Sequence, residues 1–156
     1  MSQIYMIAFL PVNFPSVAAL DKWGLRSGLV IGISLTTLGL WLRCLINVHF
    51  AFVIAGQTVL AIAQPFIYNA PAKLSANWFG EKERIYATSI GANANLLGVA
   101  IGYFVPALFV GDNDTGETAK QHVFHLMISV SVLSTLILLP VILTFQDKPP
   151  SFPSLS

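Results

Sequence analysis

Five long apolar runs dominate the chain, and they fix its solvent before anything else is considered. Residues 4–20 carry no charge, and residues 28–46 carry one, Arg43. Residues 50–72, 85–110 and 122–145 complete the set, free of Asp, Glu, Lys and Arg. A helix that crosses a bilayer needs about 20 mostly apolar residues, so five of them take roughly 105 residues. Only short loops and a tail at 146–156 remain, with no room for a separate soluble domain. The runs are continuously apolar and lack the alternation of an outer-membrane barrel strand. The expected fold is an all-α membrane protein with five transmembrane helices in a single transmembrane region.

Charge supports that choice. Only 10% of the 156 residues are charged, against about 25% in a soluble domain. This excludes a soluble enzyme, a nucleic-acid binder and a disordered linker. A lone cysteine, Cys44, excludes a disulfide scaffold and a thiolate metal cluster. Orientation follows from the basic flanks. Lys22, Arg26, Lys73, Lys82, Arg84 and Lys148 fall on one side of the expected spans, and the other side holds Lys120 beside Asp112, Asp114 and Glu117. The amino terminus is therefore expected outside and the carboxyl terminus in the cytoplasm. The sequon Asn113-Asp114-Thr115 falls on the outer side. Ser2 and Gln3 enter the first run with no basic flank or signal-peptide cleavage site. An odd number of spans with an outside start implies an upstream helix, so the chain is expected to be a fragment or truncated product.

The sharpest motif is Leu20-Asp21-Lys22-Trp23-Gly24-Leu25-Arg26, between the first two runs. Gly24 permits a left-handed reversal, and Asp21 can cap a helix or pair with a cation. Lys22 and Arg26 suit the cytoplasmic headgroup region, and a plain polar turn explains all four residues equally. The D-K-x-G-x-R pattern resembles the loop between the second and third helices of the major facilitator superfamily, with Val17 where a glycine is usual. Further segments recur in order: Leu10-Pro11-Val12-Asn13-Phe14-Pro15, Trp41-Leu42-Arg43-Cys44, Gly56-Gln57 through Ala63-Gln64-Pro65, Pro71-Ala72-Lys73-Leu74, Trp78-Phe79-Gly80, Asn95-Leu96-Leu97-Gly98 and Lys148-Pro149-Pro150. Together they resemble the feline leukaemia virus subgroup C receptor-related family, the heme and choline branch of that superfamily, over helices two to six.

The resemblance implies part of the amino-terminal half of a twelve-helix alternating-access carrier, with a site at the bilayer midplane. It implies a small organic solute such as heme or choline. It also implies aromatic residues on helices one and seven, outside this chain, that would hold a quaternary ammonium. A family glutamine next after the fifth-helix asparagine is Leu96 here.

Polar residues inside the runs are read on their own terms. Gln57, Gln64 and Tyr68 fall at i, i+7 and i+11, on one helical face. Unpaired amides are costly in lipid, so this face must turn to protein or to a watery cavity. It lines a solute path or makes interhelical hydrogen bonds worth about 0.6–2 kcal/mol each. Pro65 and Pro71 add expected kinks. Gly91, Asn95, Gly98 and Gly102 form a second stripe, whose glycines are expected to pack closely against another helix while Asn95 lines the cavity. Gly28 and Gly32 form a similar small-residue pair. Asn13 is expected to satisfy carbonyls freed by Pro15.

Arg43 either binds an anionic group or snorkels to the outer interface, and its place near a helix end favours the second. His49 and His122 stand at outer ends, with His125 a turn deeper, and the last two can face one ligand or simply be solvated. The run Glu81-Lys82-Glu83-Arg84 is a solvated loop, or else a gate-locking partner for the loop that holds Asp21. No catalytic or phosphate-binding motif is present, so no enzyme, cofactor or metal site is expected.

Two functions remain open. One is a transporter fragment at the plasma membrane rather than an organelle, with Gln57, Gln64, Tyr68 and Asn95 along the path and Asp21, Lys22, Gly24 and Arg26 forming a conformational loop. The other is a truncated, non-transporting membrane protein that assembles with or modulates another chain. In either case the bilayer is a partner and nucleic acid is not.

Overall fold

The computed structural model describes residues 2–109 and 116–147. Helix α1 spans Ser2–Cys44 and leads through a 3-10 turn, Leu45–Asn47, to α2 at Ala51–Trp78. Helices α3, Glu81–Phe109, and α4, Gly116–Thr144, follow. The Asn113 sequon, Lys148 and the tail beyond Asp147 lie outside the described residues.

Among the described residues, four helices rather than five are long and apolar enough to cross a membrane. The count is corrected because the first two expected runs belong to one helical element, α1. Gly24 breaks that element with φ 86° and ψ 167°, a region essentially confined to glycine. The chain folds back there, because Gly28 is packed directly against Leu20. Ser16 and Gly32, eight residues on either side of Gly24, both reach the same stretch of α2. Ser16 bonds Asn69, and Gly32 lies against Phe66 and Ile67. A straight 43-residue helix would be about 65 Å long and could not bring those positions together. Helical backbone continues up to the break from both sides, so the expected loop is a single-residue interruption.

Other boundaries move outward from the apolar runs. Helix α2 continues past residue 72 to Trp78, and α4 begins at Gly116 instead of 122. Hydropathy marks what lies in lipid, whereas the helix continues until a breaker arrives. Residues 73–78 contain neither Gly nor Pro, and α2 ends just before Gly80, at extended Phe79. Pro65 and Pro71 both lie within the continuous α2.

A close crossing joins the second limb of α1 to α2 at Gly39 and Gly56, where a Cβ on either glycine would lie within 3 Å of the other's carbonyl oxygen. A polar seam binds the same limb to α4. Thr37 and Ser134 hydroxyls share a 2.8 Å hydrogen bond, Trp41 Nε1 donates to Thr135 Oγ1 at 3.1 Å, and Cys44 Sγ and Ser131 Oγ are 3.3 Å apart. Spacings of three and four keep all three α1 residues on one face. Gly91 sits against Pro71, the close approach expected of it. Gly98 and Gly102 do not repeat it: a Cβ at either would meet nothing within 4 Å among the described residues. That expectation is corrected because α3 touches α2 and α4 only lightly and buries none of its apolar stretch.

At one end of the bundle, Leu20, Leu25 and Ala70 form a buried cluster with Leu29, Leu74 and Phe145 packed on it. The Gly24 break, the α2–α3 connection and the end of α4 meet there. These are the connections that carry the basic residues.

Candidate functional site

Two helices build an open cavity that holds three of the four residues expected along a solute path. From α2 come Leu60, Gln64, Ile67 and Tyr68, and from α3 Asn95 and Val99, with Thr36 of α1 closing one side. The space is about 360 Å³. Gln64 and Tyr68 are one turn apart on the same face, so a single helix presents an amide and a phenol together. Asn95 reaches the cavity because the Gly91–Pro71 contact, one turn away on α3, lets the two helices approach. The Tyr68 ring is held edge-to-face by Phe9 of α1, with centroids 6.1 Å apart and planes at 83°. Such a pair is worth about 0.5–1.5 kcal/mol beyond its area and orients the ring.

Gln64, Tyr68 and Asn95 are thus brought together, and Gln57 is not. It is 7% exposed and lies outside the cavity lining. Its neighbour Gly56 is at the helix crossing, which places Gln57 in the packed part of α2.

Next to Tyr68 lies a polar cluster of which the sequence singles out Asn13 alone. Asn69 Nδ2 donates to Asn13 Oδ1 at 2.9 Å and to Ser16 Oγ at 3.2 Å. Ser16 Oγ in turn donates to the Asn13 carbonyl at 2.8 Å, and Ser16 is fully buried. The role expected of Asn13 is corrected: its side chain bridges to α2, and a serine hydroxyl satisfies its carbonyl. One signal was available, since Asn69 is an amide within an apolar run beside Tyr68.

The loop motif is assembled at the basic end. Asp21 forms an ion pair with Lys73 of α2, both partners being partly exposed. At such exposure a pair contributes about 0–1 kcal/mol, so it fixes register more than stability. Among the described residues no ion pair joins this loop to the 81–84 run, and Arg84 donates to the Ala76 carbonyl at 3.3 Å. Lys22 is exposed. Arg26 bonds the end of α4, donating its backbone N–H to Asp147 Oδ1 and its Nη2 to the Ile142 carbonyl.

Arg43 is half-buried. Its stem lies on Gly56, and its Nε is buried with no hydrogen-bond partner among the described residues. His49 Nδ1 accepts the Ala51 backbone N–H at the start of α2, a capping role. His122 and His125 line a second cavity of about 490 Å³ between α3 and α4, with Ser129 and apolar Val105, Leu126 and Leu133. Among the described residues no group of three His, Cys, Asp or Glu side chains is placed to hold a metal.

Comparison with known proteins accords with this architecture. The family model described as Major Facilitator Superfamily matches residues 1–155. The human choline/ethanolamine transporter FLVCR2 is 32% identical over 156 residues, covering 99% of this chain and 30% of that protein. The zebrafish (Danio rerio) choline/ethanolamine transporter flvcr2a is 34% identical over 160 residues, covering 100% and 34%. The cat (Felis catus) choline/ethanolamine transporter FLVCR1 is 31% identical over 157 residues, covering 99% and 28%. The chain spans about a third of the length of the curated relatives it matches.

Proposed function

The chain belongs to the major facilitator superfamily, and on that footing we propose that it forms part of a transporter that moves a small organic ammonium compound by alternating access. It is a multi-pass integral membrane protein, and we place it in the plasma membrane. The observation that carries the proposal is the convergence of Gln64, Tyr68 and Asn95, from two helices, on one cavity within apolar spans.

The chemistry suits the solutes in the relatives' names, choline and ethanolamine. Tyr68 offers an aromatic face to an ammonium, a contact worth about 2 kcal/mol or more when desolvated. Gln64 and Asn95 offer amide oxygens and N–H groups to a hydroxyl. The described apolar spans contain no Asp or Glu between residue 85 and Phe109 or between His122 and Thr144, so these segments offer no carboxylate for proton coupling. Asp21, Lys22, Gly24 and Arg26 act as the conformational loop at the end of this half, which rocks against the other half.

Uptake of labelled choline and ethanolamine by cells that make the full-length protein tests the proposal. Saturable uptake of one or both is expected. Absence of uptake of either, at a normal membrane level, overturns it.

A further inference from the structure

Tyr68 is half-exposed on the cavity wall, and among the described residues no hydrogen bond orients its hydroxyl. Its ring meets one other ring there, that of Phe9 on the first limb of α1, edge-to-face. An edge-to-face partner takes up at most one face of the tyrosine and leaves the other open to a cation. Phe9, Asn13 and Ser16 fall at i, i+4 and i+7, so one face of that limb carries all three. Asn13 and Ser16 bond Asn69, the residue next to Tyr68. The limb thus holds α2 at this level through the Asn69 amide, and the Tyr68 ring itself through Phe9.

We propose that Phe9 is a positioning residue that sets solute preference: by holding the Tyr68 ring it makes the cavity favour a methylated ammonium over a primary one. The proposal rests on the reading of this cavity as the solute path. A quaternary ammonium has no N–H to donate, so the amide oxygens of Gln64 and Asn95 cannot hold its charge by hydrogen bonds. It relies on an aromatic face. A primary ammonium has three N–H donors, which those oxygens accept wherever the ring points. A half-exposed ring without a partner exchanges among its staggered rotamers within nanoseconds. With three wells about equally filled, the competent rotamer holds about a third of the molecules, and apparent affinity falls about threefold. That loss falls on the methylated solute. Phe9 acts through Tyr68 and contributes no polar group to the cavity.

The test compares initial uptake of labelled choline and ethanolamine by the full-length protein. Phe9→Leu should raise half-saturation for choline about threefold with the maximal rate little changed, and that for ethanolamine less than about 1.5-fold. Phe9→Tyr keeps the ring and should change either value by less than about 1.5-fold. In a Tyr68→Leu background, Phe9→Leu should have no further effect on choline. Phe9→Met fills the space without a ring and takes the place of Phe9→Leu, with the same result expected, if that variant reaches the membrane poorly. Binding of tetramethylammonium and methylammonium to the purified full-length protein makes the same comparison without transport. Phe9→Leu should weaken the first about threefold and the second less than about 1.5-fold. That binding pattern in a protein that carries neither choline nor ethanolamine leaves the proposal standing and removes only the transport reading. Equal shifts for the two solutes, or an undiminished effect of Phe9→Leu on choline in the Tyr68→Leu background, overturn the proposal and leave the transport reading intact. Failure of the unaltered protein to bind tetramethylammonium also overturns it.

Discussion

Gly39 and Gly56 face each other backbone to backbone. A Cβ on Gly56 would lie 2.6 Å from the Gly39 carbonyl oxygen, and a Cβ on Gly39 2.9 Å from that of Gly56. Neither oxygen is at the end of a flexible side chain, so neither can yield locally. Helices in lipid associate through such close packing, because lipid tails are as apolar as the side chains they would displace. Gly39→Ala and Gly56→Ala should each destabilise the chain in detergent by about 1–3 kcal/mol, the usual result of overpacking. Thermal unfolding followed by tryptophan fluorescence reads this, and unchanged midpoints for both variants would rule out the crossing.

Asn69 links α2 to the first limb of α1 through Asn13 and Ser16. Asn69→Leu, close in size but without the amide, leaves the fully buried Ser16 with only the Asn13 carbonyl. A loss of about 0.6–1.7 kcal/mol is expected, the range of interhelical hydrogen bonds in membranes. A double-mutant cycle with Asn13→Ala should show coupling of that order, and strictly additive effects would argue against the bridge.

Two glycines of α3 should behave in opposite ways. Gly91 lies 2.7 Å, measured from its ideal Cβ, from Pro71 Cβ, whereas Gly98 has open space. Gly91→Ala should cost about 1–3 kcal/mol by overpacking. Gly98→Ala should be neutral or stabilising by up to about 1 kcal/mol through helix propensity. Equal destabilisation of this chain by the two would show that α3 is covered along its whole length.

These contrasts mark what the sequence could convey. The Gly24 reversal was readable because glycine, charge and run boundaries coincide within seven residues, Leu20 to Arg26. The number of elements was not, since helical backbone reaches the break from both sides. Gln57, Gln64 and Tyr68 share an angular face, but periodicity gives direction around a helix and not depth along it. Gln57 is two turns, or about 11 Å, from Gln64 and falls in the glycine crossing rather than the cavity. Asn69 and Asp147 went unread for a common reason: their partners lie 53 to 56 and 121 residues away, and no local pattern encodes such pairing. The same holds for Gly98, whose spacing suits packing although none of the described helices approaches it.

The most direct test of the solute path compares three leucine substitutions in the full-length protein, matched for membrane level, by initial uptake of labelled choline and ethanolamine. Gln64→Leu and Asn95→Leu remove hydrogen-bonding groups from the cavity and should lower uptake about tenfold or more, whereas Gln57→Leu should lower it less than about threefold. If Gln64→Leu and Asn95→Leu transport as well as the unaltered protein, the cavity between α2 and α3 is not the route of the solute.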